Sequence, residues 1–230
     1  LAIALAEHFQ VKIHNIDSRQ IYIGMNIGTA KPTPEQQKRV QHLLLDICKP
    51  NQQTTLHSFK KKANQTLKKS LQNKQIGLLV GGSGLYLKSL INGLEPPAVP
   101  PQTMLREQLK IIGQYQCHQI LKNCDPITAE KVAPADAVRT IRALEVFYAT
   151  GIPMSSQRNI KPPPWNFVEI GLDPKDLNER IAKRTREMYA KGLLEETQTL
   201  INQFGADLPL LKTIGYEEAL YIINRKMSLN

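Results

Sequence analysis

Apolar positions along this chain recur with two different periods. Residues 1–9, LAIALAEHF, predict a helix, and Val11, Ile13 and Ile16 among polar neighbours predict a short strand running straight into Asp17, Ser18, Arg19 and Gln20. Gly24, Gly28 and Lys31-Pro32 break the pattern as a loop. Residues 34–39 then read as a helix start and residues 42–46, HLLLD, as a short buried segment. Over residues 58–72, Phe59, Ala63, Leu67 and Leu71 fall at the spacing of one helix face. The run IGLLV at residues 76–80 is apolar throughout and short enough for a buried parallel strand. Strand, helix, strand is the grammar of an α/β protein with a parallel sheet.

In such sheets ligands collect outside the carboxyl ends of the strands, so Asp17 is a candidate pocket-facing acid. Capping of the turn that follows is an equal reading of the same carboxylate. Gly81, Gly82 and Gly84 follow the second strand at once, with Ser83 among them and a helix over residues 85–91. A strand-to-helix turn of this kind offers backbone N–H groups to an anion or polar ligand. It also suits close helix–strand packing. Leu87 stands where a dinucleotide fingerprint needs a third glycine, and Leu85 where a nucleophile elbow needs one, which excludes dehydrogenase and α/β-hydrolase readings.

Proline-rich joints, EPPAVPPQ from Glu95 and KPPPW from Lys161, bracket a helical stretch and predict an inserted subdomain. The expected organisation is an α/β core from residues 1–96 and 165–230, with a helical insertion at 97–164. Within the insertion, helices are predicted over 104–112, 118–121 and 137–150, the last ending at Gly151. Ile141, Leu144 and Tyr148 form its expected core stripe, and Arg139 and Arg142 share another face. Residues 167–172, FVEIGL, predict a strand, followed by a long helix from near Asp176. On that helix Arg180 and Arg184 are four apart, either reaching one phosphate together or simply solvated. Ile214-Gly215-Tyr216 reads as a turn into a last helix.

Composition narrows the function. The 230 residues are 41% hydrophobic and 22% charged, with no run long enough for a membrane span and no convincing signal peptide. Cys48, Cys117 and Cys124 lack paired spacing, and the five histidines fit no zinc pattern, so no protein-held metal is expected. Free thiols fit a reducing cytoplasm. A formal charge of +10 points to a polyanionic partner such as nucleic acid, or to phosphorylated substrates.

Seven segments carry a resemblance: DSRQIY from Asp17, GTAKP from Gly28, HLLLD from His42, LLVGGSGLYLKSLINGL from Leu78, RTIRALEVF from Arg139, ERIAKR from Glu179 and IGYEE from Ile214. In this order, over nearly the whole chain, they resemble the tRNA dimethylallyltransferases. The resemblance implies a P-loop NTPase-like α/β core and transfer of a dimethylallyl group from dimethylallyl diphosphate to an adenosine beside the tRNA anticodon. Asp17 is then the general base and Ser83 assists it, while Arg184 with Arg180 neutralises the departing diphosphate. Asp17, Ser18, Arg19, Gln20, Ser83, Gly215 and Tyr216 are expected to contact tRNA. Arg106, Arg139 and Arg142 are expected to hold the anticodon arm, the target base leaving its stack. The resemblance also implies a cytoplasmic monomer and Mg²⁺ carried on the diphosphate and a P-loop.

Departures accompany it. The family's G-x-x-x-x-G-K-[ST] loop and its basic, aromatic C-terminal helix are not in this sequence, and Ser83 stands where the family usually has Thr. The chain as given is therefore expected to be an inactive interior piece of a complete enzyme. Prenylation of free adenine nucleotides and a non-catalytic tRNA-binding fragment are the alternatives. A nucleotide kinase fits worst, because nothing resembles a kinase lid.

Overall fold

The computed structural model describes residues 1–52, 54–74, 76–157 and 159–228. The chain divides into two compact units, one from Leu1–Leu90 with Trp165–Asn230 and one from Ile91–Pro164.

The first unit opens with α1 (Ala2–Phe9) and β1 (Ile13–Asn15). Next comes α2 (Pro34–Arg39), started by Thr33. The Thr33 hydroxyl accepts from Gln36 N–H and the Gln36 side chain accepts from Thr33 N–H, a reciprocal cap with proline at the first helical position. β2 (His42–Leu43), α3 (Leu56–Lys74), β3 (Leu78–Val80) and α4 (Gly84–Ile91) follow. The three strands are all parallel in the order β2-β1-β3, with Ile13 opposite both His42 and Leu78.

β1 is central and wholly buried, whereas β3 is only half-buried and Ile76 is exposed. The apolar run at 76–80 was expected to be a buried strand. Among the described residues it is an edge strand with a neighbour on one side only. The expected buried segment at 42–46 is also narrower. Leu44 alone is buried there, because left-handed backbone at Leu44 and Asp46 turns the chain out of the strand. On α3, Phe59, Ala63 and Leu67 are buried at the predicted spacing and join Ile21, Met25, Tyr86 and Leu90 in the core. Burying each large side chain contributes roughly 1.5–3 kcal/mol.

The second unit contains β4 (Leu94–Glu95), α5 (Thr103–Ile112), α6 (Gln114–Cys124), α7 (Pro126–Lys131), α8 (Ala137–Thr150) and β5 (Asn159–Ile160), which pairs antiparallel with β4. Its own core gathers Leu109, Cys117, Leu121, Ala129, Ala143 and Leu144. α7, too short to show periodicity, is started by buried Asp125, which accepts from Thr128 N–H at 3.0 Å and Ser155 N–H at 2.9 Å. α8 has its predicted limits, but Tyr148 is 52% exposed rather than part of the core stripe. Residues 148–150 are all exposed, so the last turn runs past the packed stretch, and Thr140, Ala143, Leu144 and Val146 make the buried face.

Back in the first unit, residues 167–172 form no strand among the described residues. Val168, Ile170 and Leu172 are exposed, since alternation marks faces but does not supply a neighbouring edge. α9 (Leu177–Ala190) has no buried residue. α10 (Leu193–Phe204) and α11 (Tyr216–Ile223) pack together and send Leu193, Leu200, Tyr216 and Ala219 into the core shared with α3 and α4.

Candidate active site at the carboxyl end of the sheet

β1 ends two residues before Asp17, whose Oδ1 accepts from the backbone N–H of Arg19 at 2.7 Å and of Gln20 at 3.3 Å. The turn-capping reading therefore holds for Oδ1, and Oδ2 has no hydrogen-bond partner among the described residues. Ser83, beyond the end of β3, donates its hydroxyl to Ser18 Oγ at 3.0 Å and accepts from Ser18 N–H at 2.8 Å. This double bond staples the two strand ends together.

Gly81 makes the staple possible. A Cβ there would lie 2.7 Å from the Ile16 carbonyl carbon and 2.8 Å from Asp17 N, so only glycine lets the backbones pass this closely. At Gly82 and Gly84 an added Cβ meets nothing within 4 Å, which leaves that side of the turn open rather than packed.

The loop after Gln20 folds back against this turn. Gln20 Nε2 donates to the carbonyls of Thr29 at 3.0 Å and Ala30 at 3.2 Å. Lys31, its side chain only 3% exposed, donates to Tyr22 O at 2.8 Å, Asn26 Oδ1 at 2.9 Å and Asp46 Oδ1 at 2.6 Å. From α10, Glu196 accepts from the backbone N–H of Asn26, Ile27 and Gly28 at 2.9–3.1 Å and from the Tyr216 hydroxyl at 2.7 Å. Burial, and then the Glu196 carboxylate, hold that phenol protonated far above its ordinary range. Gly28 lies flat under the Tyr216 ring, where a Cβ would come within 2.6 Å of two ring carbons.

Tyr86 stacks on Phe59, ring centroids 3.8 Å apart. Burial pushes its hydroxyl up to about 12, and the neighbouring Tyr22, Cys48 and Asp17 push the same way against Arg19. A cavity of about 470 Å³ nearby in the same unit is lined by Ile47, Cys48, Gln52, Thr54, Ser58, Phe59 and Lys62.

The predicted site residues do not all converge. Asp17, Ser18, Arg19, Gln20 and Ser83 share one turn and its staple, and Gly215 and Tyr216 join them through Gly28 and Glu196. Arg180 is exposed on α9 and bonded to Asp176 at 2.8 Å, and Arg184 is exposed one turn further on. In the second unit, Arg139 pairs loosely with Asp136 at 3.4 Å. Arg106 and Arg142 both bond to Glu145, whose side chain is fully buried, and Glu145 also accepts from Gln102 N–H. Arg142 further donates to Pro97 O at 3.2 Å. Two of the three arginines expected to grip RNA are thus tied to an internal carboxylate.

Sequence reasoning passed over Lys31, Tyr86, Glu145 and Glu196. Lys31 and Tyr86 lie inside quoted motifs. Glu196, in the first turns of a helix, looks like an ordinary complement to the helix dipole.

A parallel sheet with a carboxylate and two stapled hydroxyls at its carboxyl end defines a mixed α/β protein. A eukaryotic dimethylallyltransferase acting on tRNA shares this fold at a TM-score of 0.74, with 21% identity over 98% of this chain and 63% of that one. The family model described as IPP transferase matches residues 20–230. The tRNA dimethylallyltransferase of Prochlorococcus marinus is 58% identical over 229 residues, covering 100% of this chain and 77% of that protein. The full-length tRNA isopentenylpyrophosphate transferase of Bacillus halodurans is 29% identical, with a TM-score of 0.67 over 99% of this chain and 74% of that one. The chain belongs to the IPP transferase family.

Proposed function

We propose that this protein transfers a dimethylallyl group from dimethylallyl diphosphate to the exocyclic amine of the adenosine 3′ of the anticodon in tRNA. The observation that carries the reading is the free Oδ2 of Asp17, beside an oriented Ser18 hydroxyl, in a chain that matches the IPP transferase family from residue 20 onward. The exocyclic amine is a weak nucleophile because its lone pair is delocalised into the ring. Asp17 hydrogen-bonds to it and takes a proton as the new C–N bond forms. The allylic C–O bond breaks at the same carbon, and the diphosphate leaves with the bonding pair.

Arg184 and Arg180 are the groups assigned to that departing charge. Arg180 would exchange its exposed Asp176 partner for the anion, a small loss for a solvated pair. Mg²⁺ would accompany the diphosphate as its counter-ion, neutralising part of the departing charge. Among the described residues no group of three or more His, Cys, Asp or Glu side chains is placed to hold a metal ion. Ser18, Arg19, Gln20, Ser83 and Gly215 are assigned to the acceptor, whereas Tyr216 is buried with its hydroxyl on Glu196 and is not placed to touch it. Arg139 is the insertion arginine with most reach to an anticodon-arm phosphate, at 73% side-chain exposure. No helix among the described residues is long and apolar enough to cross a membrane, and the reading is of a cytoplasmic monomer.

The test is transfer of labelled dimethylallyl diphosphate to unmodified tRNA, with the protein expressed from its native reading frame. Asp17→Asn is expected to lower kcat by roughly 10²–10⁴-fold with tRNA retention unchanged. Undiminished transfer by that variant refutes the role of Asp17. Label passing to AMP in preference to tRNA refutes the acceptor.

A further inference from the structure

The Glu196 network lies outside a mechanism that stops at Asp17 and the two serines, yet it is bonded more fully than either. One carboxylate takes three consecutive backbone N–H groups and a phenol proton. Charge-assisted bonds of this kind are stronger than neutral ones, and three successive amides converge on one anion in only one arrangement of residues 26–28. The next two residues present their carbonyls to Gln20, and Gln20 presents its own N–H to Asp17 Oδ1. Lys31 pins the loop from the buried side, through Tyr22 and Asn26. The path from α10 to the candidate base alternates hydrogen bonds with short stretches of the chain itself, all within the first unit. Nothing in the loop's own sequence supplies the anion its amides need. That anion arrives from 168 to 170 residues further along the chain.

We propose that Glu196, seated by Tyr216, is a positioning residue that sets the orientation of Asp17 through the loop at residues 24–31. It touches neither substrate nor reacting atoms, and its effect passes through Gln20. The inference rests on Asp17 being the base, so one of its readouts is independent of turnover.

Glu196→Gln puts an NH₂ group against amide donors and breaks the convergence while keeping the shape. In full-length protein its kcat for transfer is expected to fall roughly ten- to hundredfold. The KM for dimethylallyl diphosphate should move by less than about twofold, since the donor's phosphates are held elsewhere. Glu196→Asp should recover part of kcat. Amide hydrogen exchange should quicken at residues 26–28 and also at Arg19 and Gln20. Faster exchange confined to residues 26–28 overturns the coupling, whatever the activity. So does a kcat within about threefold of the parent, or a loss expressed wholly in KM. If the parent itself transfers no label, the reading of Asp17 as base falls and the proposal with it, even where exchange spreads to Arg19 and Gln20.

Discussion

Replacing Glu145 by Gln should destabilise the second unit by an amount that disappears at low pH. The Glu145 side chain has no exposure and is bonded by Arg106 at 2.7 and 2.8 Å, by Arg142 and by Gln102 N–H. Burial works against the charged form, but the Arg106 bond, the Gln102 amide and the Arg142 bond outweigh it and hold the carboxyl down from 4.5 to about 2. At about 1.4 kcal/mol per tenfold change in proton affinity, this corresponds to roughly 3 kcal/mol of stability. The sign follows from the depressed value. Above 4.5 the group is ionised in both folded and unfolded chains and the full contribution is present. Below 4.5 the unfolded chain takes up the proton first, and the contribution fades toward pH 2. Unfolding free energies from urea titrations of parent and Glu145→Gln should therefore differ by about 3 kcal/mol at pH 7, by roughly 1.4 kcal/mol at pH 3, and converge only near pH 2. Comparing the two proteins at each pH cancels other acid-sensitive groups, such as Asp125, which amide bonds from Ser155 and Thr128 hold low against its burial. A difference that stays constant from pH 7 to pH 3 would refute the argument, and so would a Glu145→Gln protein as stable as the parent at neutral pH.

Gly28→Ala drives a methyl group to 2.6 Å from the Tyr216 ring and should cost about 1–3 kcal/mol in thermal or urea unfolding. A variant with the parent's midpoint would mean that the ring does not press on this backbone. His14 is fully buried, with Nε2 3.2 Å from Ser70 Oγ and Nδ1 without a hydrogen-bond partner, and desolvation, aided by Lys12, lowers its pKa below 6.5 against the opposing pull of the nearby Thr66 and Leu78 backbone. As pH falls through 6.5 the unfolded chain gains a proton that the folded one refuses, so stability should decline by up to about 1.4 kcal/mol per pH unit. Its ring resonances should stay those of the neutral form below pH 6.5, and an ordinary titration there would sink the assignment.

Local signals carried much of this fold into the sequence. The Phe59, Ala63 and Leu67 spacing marks a helix, and the strand leading to Asp17 shows by contrast with its polar neighbours. Thr33 with Pro34 and Gln36 fixes a helix start within a few residues. What escaped depends on partners distant in the chain. Glu145 and Glu196 are each one acid on a helix, and nothing local separates a solvated carboxylate from one that organises an arginine 39 residues upstream or amides up to 170 residues upstream. For Arg106 and Arg142 a sequence shows a cation but not that a buried carboxylate inside the protein already pairs with it. The strand expected at 167–172 has the right alternation without a neighbour among the described residues.

That last stretch is fenced by chemistry on both sides. Pro162, Pro163 and Pro164 precede it and Pro174 follows it, and none of these has an amide hydrogen to give to a strand ladder. With Phe167, Val168, Ile170 and Leu172 all exposed, residues 167–172 are open to pairing with a free sheet edge. The prolines limit that pairing to the span from 165 to 173, so an adhesive sequence is kept too short to recruit the chain around it.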